Sequence, residues 1–364
     1  MNIGLNEEQR MFALALKRYL GEAVPIESLR AQAPAAPALD TALWQGLTEL
    51  GVPGLMVPEE FGGSGLGMID ATIAAEQMGA VAAPAPFTGS AAMATCALLS
   101  SESDAQRREW LPRIAAGDVR IAVGFASTLS GQTGTARVAA LDGDRLSAHV
   151  EAVLEAESAT HFLLYRADGC AALVEASSAQ LETRASVDAT RLVSSIVLDG
   201  APGQPLAVRR GTERDAAIQV LDAGRLALAC DALGACQTLL DKSVAYAKER
   251  QQFGRPIGSF QGVKHMCADM VTLLEPCRAL VWHAAMLRDA GSADARIASL
   301  QAKAHIGDVS REVSRMAIEV HGGVGFTDML GLPSWFRRVA LDRQILGGPE
   351  RCRHEAAQAQ GWVE

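Results

Sequence analysis

Aromatic side chains are sparse in this sequence, at 5% of residues, although 49% of it is hydrophobic. Alanine and leucine carry the apolar share, and such a composition favours closely packed helices. No uninterrupted apolar run reaches about eighteen residues, so no membrane-spanning helix is expected. The first residues form an acidic amphipathic segment where an export signal would show a basic stretch followed by an apolar one. Positive charge is also in deficit. The 33 Lys and Arg against 42 Asp and Glu leave a net charge of −9, an overall field that excludes nucleic acid and anionic membrane as partners. Cysteine occurs seven times but never as a CxxC pair, which signals neither a disulfide framework nor a zinc site. A cytoplasmic protein with reduced thiols is the expectation.

Three textures follow one another along the chain. Asn6 precedes Gln9 by three residues, a capping-box pattern, and Met11, Phe12, Leu16, Tyr19 and Leu20 then share a helical stripe. Ala31 to Pro37 reads as a loop, after which Asp40 caps a helix that buries Leu43, Trp44, Leu47 and Leu50 and closes at Gly51. More helix is expected near Met68–Met78, Ser90–Leu99 and Asp104–Ala116. Short strand-like runs replace it at Arg120–Phe125, Ala136–Leu141, Arg145–Val150, Phe162–Tyr165, Ala171–Val174 and Ser194–Leu198, with Asp142-Gly143 as a hairpin turn. Helical periodicity then returns over Ile218–Glu249, Ser259–Arg288, Ser292–Val320 and Ser334–Gln360. The expected fold is mainly α with a β-domain: an N-terminal α-helical domain over 1–120, a middle antiparallel β-domain over 121–210 and a C-terminal four-helix bundle over 211–364.

Two strings in the last third stand apart from helix packing. RQQFGRPIGSFQ, Arg250 to Gln261, sets a guanidinium, an aromatic ring, a glycine and a proline in a short break between helices, and it leads into Val263-Lys264-His265 and Ala268-Asp269-Met270. Such a break is built to meet something flat and anionic, unless Arg250 is simply a solvated cation at a helix C-terminus. HGGVGFT, His321 to Thr327, offers backbone N–H groups with no Cβ in the way of a phosphate chain. His265 reads as a packing residue against Met266 and Met270.

The chain resembles the acyl-CoA dehydrogenase family at these residues, at Leu5–Arg10 and along Leu50–Gly67 (LGVPGLMVPEEFGGSGLG), so the resemblance spans nearly the whole chain. The resemblance implies an FAD-dependent α,β-desaturation of an acyl-CoA thioester, with electrons passed to an electron-transfer flavoprotein. It also implies a tetramer, because each cofactor site in such proteins is shared between subunits. On this resemblance Arg250, Gln252, Phe253, Gln261, Glu319, Gly322, Gly323 and Gly325 fall at cofactor-binding positions. Glu319 replaces the glutamine usual two residues before the HGG string, and unless paired with a basic side chain it repels a diphosphate. At the entry of the β-domain the family's Thr-Glu-Pro segment is replaced by FASTLSGQTGT, Phe125 to Thr135, which leaves Ser127 and Thr128 as hydroxyl donors. The tryptophan and threonine that cover the flavin in the family are missing from LSAHVEAVLEA, Leu146 to Ala156.

Desaturation requires a carboxylate to remove the α-proton. The two positions where the resemblance places that base hold Gly224 and Gly347. Asp231, two turns beyond Gly224 on the same helix face, is either a substitute base or half of a structural ion pair. Asp222 reads as a helix cap and Glu350 as a first-turn residue of the last helix. Two functions follow: a complete homotetrameric acyl-CoA dehydrogenase, or a non-catalytic chain of a hetero-tetramer that supplies FAD diphosphate contacts to a catalytic partner.

Overall fold

The computed structural model describes residues 4–31, 39–130, 137–139, 142, 144–184 and 186–363. The loop expected at Ala31–Pro37 lies almost wholly outside them, as do Gly143 and residues 131–135 of the Phe125–Thr135 stretch. The helical domain holds α1 (Glu7–Ala23), α2 (Ile26–Ala31), α3 (Thr41–Glu49), α4 (Met68–Ala80), α5 (Thr95–Leu99) and α6 (Asp104–Ala115). Local chemistry fixes its first starts. The Asn6 side chain accepts from the Gln9 N–H while the Gln9 side chain accepts from the Asn6 N–H, and the Asp40 carboxylate accepts from Leu43. Before α5, residues Phe87–Ala94 form a fully buried π-helical stretch.

The middle domain contains β1 (Ile121–Phe125), a one-turn α7 (Ser127–Ser130), β2 (Arg137–Val138), β3 (Arg145–Leu154), β4 (His161–Tyr165), β5 (Ala171–Glu175), β6 (Gln180–Arg184) and β7 (Val193–Pro205). The sheet runs β1-β4-β5-β7-β3-β2, with β6 also paired to β7. It is not wholly antiparallel. β1 and β4 pair in parallel, since the chain returns through β2 and β3 before β4 docks beside β1. β6 was not expected from the sequence, because QLETR holds a single apolar residue, and that Leu181 is exposed.

The bundle comprises α8 (Glu213–Glu249), the two-residue strands β8 (Gln251–Gln252) and β9 (Arg255–Pro256), α9 (Gln261–Asp289), α10 (Ala295–His321), α11 (Leu332–Gln344) and α12 (Pro349–Ala359). The fourth expected helix is therefore two. Ile345–Gly348 breaks it, with Leu346 at φ +61° and Gly347 at φ +103°. α4 lies so close to α8 that a Cβ on Gly79 would strike the Asp231 carbonyl and one on Gly234 would strike the Glu76 carbonyl. Glycine at both crossing points lets the two domains share one apolar core. No described helix is long and apolar enough to cross a membrane.

Candidate functional site

The bundle end that carries Arg250 and the glycine string is built by chain reversal. α8 stops at Arg250, whose extended backbone hands the chain to the β8–β9 hairpin, and the Ile257 N–H donates back to the Arg250 carbonyl at 2.8 Å. Phe253 and Gly254 take φ +53° and +74°, the mirror-image turn that matches strand twist. That turn thrusts Phe253 into solvent at 91% exposure. The Arg255 guanidinium lies over the Phe260 ring at 4.1 Å. Gln261 opens α9 and its amide nitrogen sits 3.1 Å from His265 Nε2. His265 is exposed beside it, which corrects its reading as a packing residue: Met270 turns inward and the histidine outward.

α10 ends beside this hairpin. The Tyr246 and His321 rings stack at 4.6 Å, tying the last turns of α8 to the end of α10. Gly322 follows at φ +62° and ψ −143°, a conformation closed to residues with a Cβ, and the chain then winds through one 3-10 stretch to Phe326. A Cβ at Gly322 or Gly323 would meet nothing within 4 Å, so open space faces this turn, whereas Gly325 packs against the Ile318 carbonyl. Glu319 is not a bare anion. Arg315 donates to it at 2.8 Å, which meets the condition under which the acid ceases to repel a diphosphate. No ion-pair partner of Arg250 occurs among the described residues. An unpaired guanidinium beside an open glycine turn fits the diphosphate end of FAD.

The two base positions converge, and apolar side chains fill the place where they meet. A Cβ on Gly224 would lie 2.5 Å from Met93 Sδ and 2.7 Å from Leu346 Cδ1. Leu154, Val123, Phe125 and Leu228 belong to the same buried cluster. Arg225 fixes the neighbouring turn, donating from Nε to the Leu346 carbonyl at 2.7 Å while Asp222 and Glu355 hold its guanidinium at 3.0 and 2.8 Å. Asp222 is therefore a buried ion-pair residue instead of the expected cap. Arg225 escaped the sequence reading, although an Asp and an Arg three apart in an otherwise apolar helix run was the available signal. Glu350 stands in the first turn of α12, exposed and paired with Arg343 at 3.0 Å.

Asp231 is 3% exposed and its carboxylate is fully engaged. Arg338 donates to both of its oxygens at 2.8 Å, and Arg191, from the loop after β6, donates at 2.9 Å. Burial alone pushes this carboxyl up, but Arg191 and Arg338 outweigh it and hold it far below the usual carboxylate range. Of the two roles open to Asp231, the geometry gives it the ion pair, with both oxygens accepting from guanidinium groups. Arg191 also grips Asp342, and Lys303 donates to the Asp342 carbonyl, so the β-domain loop, α8, α10 and α11 meet in one charged knot. Burial pushes Lys303 down to about 8.

Ser127 and Thr128 lie elsewhere, on α7. They line a cavity of about 1090 Å³ together with Arg137, His149, Gln180 and Asp199. No residue of the Arg250 hairpin or the glycine turn lines it.

Comparison with known proteins bears on the whole chain. The family description "Acyl-CoA dehydrogenase, N-terminal domain" matches residues 6–118 and "Acyl-CoA dehydrogenase, C-terminal domain" matches 214–360. The chain is 29% identical to the acyl-CoA dehydrogenase IpdE2 of Mycolicibacterium smegmatis, over 95% of this chain and 96% of that one. It is 28% identical to the short-chain specific acyl-CoA dehydrogenase of Clostridium acetobutylicum, covering 77% and 79% respectively. Among solved structures, the ChsE4-ChsE5 complex from Mycobacterium tuberculosis matches with a TM-score of 0.89 at 23% identity and full coverage of both chains. A variant of the steroid ACAD Tcur3481-Tcur3483 matches at 0.85 and 26% identity, with 98% of each chain covered.

Proposed function

This chain belongs to the acyl-CoA dehydrogenase family of FAD-dependent oxidoreductases, and from that premise we propose that it works as one kind of subunit in a mixed assembly. Its part is to grip the FAD diphosphate, while a second, related chain supplies the carboxylate that removes the substrate α-proton. FAD held there would supply hydride-accepting chemistry for the α,β-dehydrogenation of an acyl-CoA thioester, with an electron-transfer flavoprotein as the electron acceptor. Arg250 would hold the diphosphate with its planar fork, Gly322 and Gly323 would offer backbone N–H groups, and Phe253, Gln252 and Gln261 would line the cofactor across the subunit boundary.

One observation carries the reading: the place where a base carboxylate would stand is closed by Met93 and Leu346 around Gly224. A solved protein of the same fold is itself a complex of two named chains, ChsE4 and ChsE5, which is the kind of assembly proposed here. The test is acyl-CoA-dependent bleaching of the flavin. The chain purified alone should reduce bound flavin negligibly, and co-expression with a family chain that carries a base glutamate should give a stable mixed tetramer with fewer flavins than chains. Rapid reduction by the chain alone would overturn the mixed assembly in favour of a complete enzyme.

A further inference from the structure

We propose that His321 is a proton-linked positioning residue of the diphosphate cradle, gaining a proton when a diphosphate settles against the Gly322–Phe326 turn. The inference rests on the diphosphate reading above and concerns a residue that reading leaves without a role. The His321 ring is 4% exposed and stacks on Tyr246 with 27° between the planes. Its Nδ1 lies 2.7 Å from the Ala317 carbonyl oxygen, and the Lys242 backbone is its second hydrogen-bond partner. Since Nδ1 is taken, the Lys242 carbonyl falls to Nε2.

Two carbonyl oxygens face one ring. A neutral imidazole carries one N–H and one lone pair, so it can satisfy only one of them and points its lone pair at the other; the imidazolium satisfies both. Burial works the opposite way and depresses the affinity of the ring for a proton, with the Lys242 charge adding to it. The free protein therefore holds a neutral ring in a socket shaped for a cation. A diphosphate on the next residues shifts that balance, because its negative charge beside the turn that follows the ring favours the protonated form.

The other charges around His321 do not do this already. On α8 the neighbours are Lys242, whose Nζ rests over the Trp335 ring at 5.1 Å, and Tyr246, with Arg250 one turn beyond. On α10 itself Glu319 is tied to Arg315. α11 presents Trp335, which does not titrate. No free carboxylate among these groups supplies the missing anion, which leaves that place to the ligand.

The probe is ADP-ribose, whose diphosphate is a diester and keeps a fixed charge as pH changes. The carbon-bound ring protons of His321, followed by NMR in the full-length chain, should titrate at higher pH when ADP-ribose saturates the protein. Binding should tighten several-fold as pH falls from about 8 to about 5.5, since a ligand that raises the ring's affinity for a proton is itself bound more tightly by the protonated ring. Calorimetry in two buffers of different ionisation enthalpy should show proton uptake on binding, a measurement that needs no variant. His321→Gln, which retains an amide donor, should still bind but lose the pH dependence, and Tyr246→Phe should keep it. An unchanged His321 titration in the saturated protein, with no proton uptake, would overturn the inference while leaving the diphosphate site intact. Absence of any ADP-ribose shift at Arg250, Phe253 or Gly323 at every pH would overturn both.

Discussion

Arg250 and Asp231 are both functional-looking charges, yet their surroundings assign them opposite fates. Arg250 stands at a helix end without an ion-pair partner among the described residues, free to meet a ligand. Arg250→Lys should therefore weaken FAD retention roughly tenfold or more, since hydrogen bonds to charged groups contribute about 1.5–3 kcal/mol and a lysine cannot reproduce the bidentate fork. Flavin content after gel filtration measures it. Asp231 is the reverse case, with both oxygens committed to guanidinium groups. Asp231→Asn leaves Arg338 and Arg191 under-compensated in the interior and should destabilise the fold by about 3–5 kcal/mol in urea unfolding. The pH dependence follows from the depressed carboxyl. Its contribution is fully present above the unfolded-state value of about 3.9 and is lost progressively as pH falls from there through the depressed folded-state value, so the stability gap between the parent and the Asn variant should begin to narrow only below about pH 4. At Glu319 the pair with Arg315 is half exposed, and Glu319→Gln should tighten FAD binding only a few-fold by releasing Arg315, less than removal of a bare anion would.

At the scale of elements, the contact between α4 and α8 is the least forgiving. Gly79→Ala or Gly234→Ala sets a methyl group against a backbone carbonyl that no rotamer change can move. Each should cost about 1–3 kcal/mol or more, read from the urea midpoint, because the two helices must part to admit it. Much of this level was legible in the sequence. The Asn6–Gln9 box, the Asp40 cap and the return of helical period after Gly200–Pro205 are local signals, and local structure follows them. Non-local pairing was not legible. The parallel β1–β4 contact joins segments 40 residues apart, and Arg338 reaches Asp231 across 107 residues, so no window of sequence holds both partners. The candidate site divides along the same line. Arg250, Phe253 and the glycine string were visible because they are contiguous, whereas the closure around Gly224 depends on Met93 and Leu346 arriving from two other elements.

For the molecule as a whole, one core runs from the N-terminal helices into the bundle, while the charged knot around Asp231 ties the β-domain loop onto it. Three sequence regions thus close around an interior that contains no base carboxylate at either family position, and the proposed division of labour between two chains is an expectation about assembly as much as about chemistry. The closure has one more consequence. Met93 stops the space beside Gly224 as a cork stops a flask, and its flexible thioether can be removed without disturbing a hydrogen bond. Met93→Ala should cost about 2–5 kcal/mol and leave a void lined by hydrocarbon, which water does not enter. Crystals of that variant under xenon pressure should show the gas lodged beside Gly224, where the parent protein admits none. The inert atom would thereby take the measure of the space that Met93 occupies beside Gly224.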